Sequence, residues 1–460
     1  MSTPAPVEQV STPPLAVEDE DHVREAPRRR ALVEVLLAAA VAVVATAVAW
    51  WRLPVDARRA LWAEDGPIFL SAALVQGPAE TTLAPYAGYE HVLARVLAEL
   101  VAWAVPLPSL AVGVAAATCA VAGCVAGAVF VWSRAVAGSW VVRVLLGLVT
   151  VLAPVVPVEV AGNLANLHWY LLWMLPWALL AVPRTWAGSA VQAAVVLVAA
   201  LTEVQALLLV PLVLVTVRRR RAWPVSGALL VGVAVQLATS VAHPRPSSTY
   251  PRPDLVDLVL SFLAQPVSST WSSSSAGSAG LLAATSYGSA VVTLVLVLAS
   301  GVVAWLLAPR ARPMVVAALA LAPLLWAAGI VANASGLTEY GAEGPEWLAT
   351  SGWLRYAVVP SMLLLTVVLL GADGLIARRR PATVVAGAVL VAAVLVAVLP
   401  QFTVPGTLRS GAQPWAVSLE QARTACADGS VLRDEGGEAL VPIAPEGWFL
   451  VSSCPVLTQR

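Results

Sequence analysis

At 460 residues, the chain is 59% hydrophobic and 12% charged, with a mean hydropathy of +0.82. A soluble domain carries about 25% charged residues, so this composition excludes a soluble enzyme and defines a polytopic membrane protein. Net charge is zero and the 27 basic residues are all Arg. The clusters Arg28–Arg30, Arg218–Arg221 and Arg378–Arg380 each flank an apolar run, which marks cytoplasmic loops rather than a nucleic-acid surface.

Residues 1–30 are rich in Pro, Ser and acidic side chains and read as a disordered cytoplasmic N-terminus. Ala31–Trp50 is apolar over about twenty residues, enough for an uncleaved first span that leaves the N-terminus inside. A polar loop follows, residues 51–107, with adjacent carboxylates at Glu64 and Asp65. Within it, Gly88–Val105 places Val92, Leu93, Val96, Leu97, Leu100 and Val101 on one helical face. His91, Arg95 and Glu99 recur every four residues on another, the pattern of an amphipathic helix lying at the interface with its polar stripe in water.

Counting Arg-rich loops as cytoplasmic, the later runs are Leu110–Trp132, Val144–Val158, Trp169–Val182, Ala187–Leu201, Val204–Val217, Pro224–Val241, Ala290–Leu307, Met314–Ala332, Ala357–Leu370 and Ala382–Leu399. With the first, that makes about eleven spans in a transmembrane unit of residues 31–400. The C-terminus then lies outside, and residues 401–460 form a small extracytoplasmic domain. Ala439–Ile443 and Trp448–Val451 read as short strands around Pro445 and Gly447. Cys426 and Cys454 are placed to staple this domain by a disulfide, which the expected compartment permits. Cys119 and Cys124 fall inside an apolar run and read as buried thiols.

Charge at membrane depth is costly, so the polar groups that remain carry information. On this map they gather at external helix ends: Glu64 and Asp65; Glu159, Asn163, Asn166 and His168 in the turn VEVAGNLANLHWY; Glu203; Glu339, Glu343 and Glu346; and Arg355 with Tyr356. Each has a plainer alternative. Asp65 before Gly-Pro is also a good helix N-cap, His168 with Trp169 also fits an interfacial aromatic belt, and Arg355 also fits a snorkelling anchor. Sugar transfer from a polyprenyl phosphate needs a carboxylate base, which Asp65 or Glu64 supplies, and cationic donors at the leaving phosphate. His91, Arg95 and Arg355 are the candidates for the second role, with Glu159, Asn163, Asn166, His168, Glu203 and Tyr356 as further substrate contacts.

At the stretch WAEDGPIFLSAALVQGPAETTLAPYAGYEHVLAR the chain resembles GT-C-fold glycosyltransferases, the class of protein O-mannosyltransferases and lipid A aminoarabinose transferases. There the first external loop holds an acidic pair, a short helix, and a Pro/Gly-Tyr stretch leading into a second interfacial helix. Here Glu64-Asp65, Pro67–Gln76 and PYAGYEHVLARVLAEL from Pro85 occupy those places over about fifty residues. The pair is Glu-Asp where Asp-Glu or Asp-Asp is commoner, which leaves open which residue is the base. The resemblance implies an extracytoplasmic site, a polyprenyl-phosphate sugar donor and inversion at the anomeric carbon. Some relatives of that fold use a divalent metal, so the acidic pair is also a place to look for one. Two further readings stand beside the transferase: a non-catalytic GT-C-like scaffold, and a transporter or flippase of a lipid-linked precursor. No Walker sequence, His-rich metal motif or dinucleotide fingerprint stands out.

Overall fold

The computed structural model describes residues 20–245 and 249–459. Among the described residues, seven helices are long and apolar enough to cross a membrane: Leu32–Arg52, Leu107–Ala135, Arg220–Ala242, Gly288–Leu307, Pro309–Ala332, Arg355–Ile376 and Pro381–Gln401. The chain is therefore a multi-pass helical membrane protein. The other four expected spans coincide with shorter apolar helices, Trp140–Leu152, Leu167–Leu180, Trp186–Ala200 and Val204–Thr216. Of the segment expected to be disordered, residues 1–19 lie outside the described residues, and residues 20–30 begin α1 (Glu20–Arg52).

After the first loop come α2 (Val92–Ala104), α3 (Leu110–Trp132), α4 (Trp140–Leu152), α5 (Leu167–Leu180), α6 (Trp186–Ala200) and α7 (Trp223–Ala242). Then follow α8 (Gly288–Leu307), α9 (Arg312–Ala332), α10 (Val358–Ile376) and α11 (Pro381–Val398). Every residue of α5 is buried and α10 is buried along nearly its whole length, so these two form the centre of the bundle. At its periphery α11 exposes Val385, Val389 and Val396, an apolar face suited to acyl chains.

Helices in lipid gain little from burying apolar area against one another, so close packing of small residues holds them together. Gly123 and Gly127 of α3, four residues apart, face Ala38, Ala42 and Thr46 of α1. A Cβ at Gly123 would fall 2.5 Å from the Ala42 carbonyl oxygen, which is fixed in the helix backbone. Gly123→Val is expected to destabilise the protein by about 3 kcal/mol, read as a lower melting temperature in detergent. Gly227 in α7 has open space around it and is the control. On the same α3, Cys119 is buried as expected, whereas Cys124 is exposed.

Expected span Val144–Val158 breaks at Leu152, and residues 153–166 form a buried, irregular turn-rich segment. Irregular backbone survives away from water only if its polar groups find partners. Two arginines and one aspartate supply them. The Arg52 guanidinium donates to the carbonyls of Val151, Ala153 (3.1 Å) and Pro154 (3.3 Å), and to Gln401 (3.0 Å). Arg409 donates to the carbonyls of Ala161, Gly162 (2.9 Å) and Ala57 (3.2 Å). An Asp65 carboxylate oxygen accepts the N–H groups of Leu164 and Ala165, both at 2.9 Å.

The C-terminal segment contains α12 (Trp415–Asp428) and an antiparallel hairpin, β1 (Ala439–Ile443) and β2 (Trp448–Ser452), close to the expected strands. It packs on the first loop. Ala63 N–H donates to the Ala444 carbonyl (2.6 Å), Val451 N–H to Ser71 Oγ (2.8 Å), and Trp415 Nε1–H to the Leu107 carbonyl (2.6 Å). Leu450, Val441 and Trp415 thereby join the same apolar core as Phe69 and Leu107. The Cys426–Cys454 disulfide is formed, 28 residues apart in sequence. Cys426→Ser/Cys454→Ser is expected to lower stability by about 3 kcal/mol through the longer unfolded loop. A melting temperature that responds to reductant in the parent and not in this variant checks it.

Candidate functional site

A cavity of about 230 Å³ opens where the first loop meets the ends of α5, α7, α9 and α10. Glu64, His91, Asn166, His168, Glu203, Arg355 and Tyr356 line it, as do Tyr86, Tyr89, Trp169, Gln205, Arg245 and Asn333. Seven of the expected site residues thus converge on one space.

The acidic pair divides. Glu64 and Asp65 sit on one 3₁₀ turn, Ala63–Asp65, where neighbours point about 120° apart. Glu64 is half-buried and lines the cavity; Asp65 is buried on the other side against the 153–166 segment. Asp65 does not cap its own helix, since no capping bond is made there. Burial raises its carboxyl to about 7, against the opposing pull of the Ala165 and Leu164 N–H groups and of Arg409. The turn itself is held under strain: Ala63 has φ 43°, a left-handed conformation rare for alanine, pinned through the Ala444 contact.

The helix expected to lie flat with its polar stripe in water is turned inward. In α2, Ala94, Arg95, Ala98 and Ala102 are buried, while Leu100 and Trp103 are exposed. Arg95 donates to the carbonyls of Ala84 (2.7 Å) and Ile68 (3.1 Å) and lies 5.5 Å over the Phe69 ring. It ties the loop together and does not line the cavity. Of the expected apolar face only Leu100 is exposed, while Val101 is buried and Leu93 and Leu97 pack against the core. The helix is thus covered on both faces, and loop carbonyls take the Arg95 donors in place of water. His91, preceding α2, does line the cavity. Burial first, then His168 and Arg95, hold its imidazole well below the usual range, so it is neutral.

The stretch before α2 is pinned to α7. Gln236 exchanges two hydrogen bonds with the Glu90 backbone, Thr239 Oγ–H donates to the Glu90 carboxylate at 3.0 Å, and Ser240 Oγ–H donates to the Gly88 carbonyl at 2.7 Å. This fixes Tyr86 and Tyr89 against His91, with ring centroids 5.7 and 4.1 Å away. His91 and His168 are 6.3 Å apart, His168 and Trp169 4.3 Å, and Trp169 and Tyr356 5.6 Å, so aromatic rings run continuously round the wall.

Two charged pairs complete the site. His168 Nδ1 bonds the buried Glu203 carboxylate, which also accepts the Gln205 N–H at 2.6 Å. With a carboxylate on Nδ1 the proton sits there, and Nε2 remains the basic nitrogen. Arg355 donates to Glu159 at 2.6 Å, with about a third of its side chain exposed. Glu159 acts through Arg355 and is not part of the wall. Asn163 is structural: its Nδ2 donates to the Glu159 carbonyl (2.6 Å) and its Oδ1 accepts the Asn166 N–H (2.9 Å). Glu339, Glu343 and Glu346 are exposed and take no part.

Among the described residues no group of three or more His, Cys, Asp or Glu side chains is arranged to hold a metal ion. With Asp65 turned away, the acidic pair does not offer two carboxylates to one site. The tyrosines at 86 and 89 were inside the loop motif and Trp169 inside the next turn, but only their types, not their convergence, were visible in sequence. Arg245, Arg52 and Arg409 gave no signal. Arg52 closes the first apolar run, and Arg245 and Arg409 are lone arginines in segments without periodicity. Comparison with family models, with curated proteins and with solved structures found no match. What fold and site define is a multi-pass helical membrane protein with an aromatic, acidic and arginine-lined cavity at one end of its bundle.

Proposed function

We propose that the protein is a GT-C-type membrane glycosyltransferase that moves a sugar from a polyprenyl-phosphate donor to a cell-envelope acceptor, inverting the anomeric carbon. The observation that carries this reading is the convergence of Glu64 with Arg355 and Arg245 in one ring-lined cavity at the helix ends. Glu64 takes the acceptor hydroxyl proton as that oxygen forms its bond to the anomeric carbon. The carbon–oxygen bond to phosphate breaks, and the polyprenyl phosphate leaves with the electron pair, balanced by the Arg355 and Arg245 guanidiniums. Tyr86, Tyr89 and Trp169 offer faces for sugar C–H groups, and Asn166 and Gln205 offer amides for hydroxyls. Glu159 positions Arg355, and Glu203 fixes the tautomer of His168. The reading includes eleven spans with the N-terminus cytoplasmic, and the cavity and C-terminus on the extracytoplasmic side.

The scaffold reading would be favoured by Glu64, Asp65 and Arg355 all pointing away from any common cavity; Glu64 and Arg355 share one, and Asp65 is turned away from it. The transport reading would need broken helices lining a path through the bilayer. The break at 153–166 lies at the cavity end and is filled by Arg52, Arg409 and Asp65. The test is transfer of label from a polyprenyl-phosphate-linked sugar to endogenous acceptors in membranes containing the protein. Transfer dependent on Glu64 supports the reading; donor panels that give no Glu64-dependent product remove it.

A further inference from the structure

The end of the bundle opposite the cavity holds a second charged cluster that the proposed transfer does not use. One carboxylate, Glu34 near the start of the apolar span Leu32–Arg52 of α1, receives three guanidiniums: Arg134 at 2.9 Å, Arg143 at 3.0 Å and Arg184 at 3.3 Å. Three cations against one anion leave the cluster with a net charge of about +2. Asp373, which reaches the same region from α10, accepts the N–H groups of Gly138 and Ser139 and makes no ion pair with the three arginines; its charge lowers the net positive charge of the region without cancelling it.

The three arginines are not equivalent. Arg143 is committed: it also donates to the Phe130 carbonyl at 3.2 and 3.0 Å and stacks 4.4 Å over the Phe130 ring. Arg134 and Arg184 each give one N–H to Glu34, and the Arg184 side chain is 68% exposed. These two border both of a pair of adjoining hollows, of about 290 and 350 Å³. The walls beside them are apolar and face outward: Val33, Leu37 and Trp140 are 54%, 40% and 66% exposed. Cationic donors with unspent N–H groups thus sit directly next to surface made for acyl chains, at the end of a membrane-spanning helix.

We propose that this cluster is a binding site for the phosphate headgroup of an anionic phospholipid. Arg134 and Arg184 hold the phosphodiester oxygens, Trp140 lies at headgroup level, and Val33 and Leu37 lie along the first methylenes of the chains. Glu34 keeps the three guanidiniums gathered when no lipid is bound and sets how strongly a phosphate is drawn. The site is independent of the chemistry assigned to the cavity.

The experiment uses the full chain in an uncharged detergent and counts lipid adducts by native mass spectrometry. Dioleoyl phosphatidylglycerol, dioleoyl phosphatidylcholine and inorganic phosphate are the probes. Retention of phosphatidylglycerol over phosphatidylcholine is expected, falling about tenfold in Arg134→Gln/Arg184→Gln at an unchanged melting temperature. Glu34→Gln, which removes the internal counter-ion, is expected to raise retention. Should the double variant or Glu34→Gln fail to fold, Arg184→Gln alone, at the most exposed position, carries the test. Equal retention of the two lipids, or phosphatidylglycerol binding unchanged in the arginine variants, makes the cluster a structural ion group and overturns the proposal. Inorganic phosphate displacing phosphatidylglycerol at matched concentration assigns the site to a free anion and overturns it equally.

Discussion

Replacing Arg409 by Met is expected to destabilise the protein by about 3–5 kcal/mol, the largest effect of any single change outside the apolar core. Arg409 is 1% exposed although it lies in the C-terminal segment. Its guanidinium serves three carbonyls of the first loop and the 153–166 segment, and its charge faces the buried Asp65 carboxyl. Met fills similar volume but leaves those carbonyls unmet and Asp65 without a counter-ion, and burial of unpaired polar groups sets the cost. Adding Asp65→Asn is expected to return part of the loss, because the uncompensated charge is gone while the side-chain oxygen still accepts from Leu164 and Ala165. Additive losses in the double variant would show that the two do not interact.

The same pair gives a pH dependence. Burial raises Asp65 from 3.8 to about 7 in the folded chain. A carboxyl raised on folding binds its proton more tightly in the native state, so its contribution is fully present below about pH 3.8. It is lost as pH rises through about 7. Melting temperature measured between pH 4 and 8 should therefore fall over that window by more in the parent than in Asp65→Asn. In Arg409→Met the fall should be steeper, since the charge that opposes protonation is missing.

The second large effect separates the two acids by what they change. Glu64→Gln is expected to cut sugar transfer by about 10²- to 10⁴-fold, the usual worth of a general base, while the melting temperature stays at the parent value. Gln keeps the shape and cavity exposure of Glu64 and removes only its ability to accept a proton. Asp65→Asn is expected to do the reverse, shifting stability with pH and leaving the rate within a few-fold. A rate loss in Asp65→Asn as deep as in Glu64→Gln, at equal stability, would contradict the division of roles drawn from the 3₁₀ turn.

Much of this molecule was legible in its sequence. Composition and the lengths of apolar runs determined a helical membrane protein, because water-free surroundings leave the backbone few other ways to satisfy itself. Two short strand-like segments on either side of Pro445 and Gly447 anticipated the hairpin, and the placement of Cys426 and Cys454 anticipated their bridge. The polar residues in the loop and the VEVAGNLANLHWY turn located the cavity, since polar groups at helix ends in an apolar chain have few places to go.

Only the tertiary structure decided which of those residues share the cavity. Glu64 and Asp65 are neighbours, and nothing in their order says which side of a single turn faces inward; the Ala444 contact and the buried 153–166 backbone settle it. Helix α2 has the period of a surface helix, but period gives two faces and not their destinations. Loop carbonyls drew Arg95 inward, leaving lipid for Leu100 and Trp103. Arg52 and Arg409 look alike in sequence to any arginine at a helix end or in a tail. They became structural because an irregular segment inside the protein left carbonyls that only long, multiply donating side chains could reach, and that demand exists only once the chain has folded.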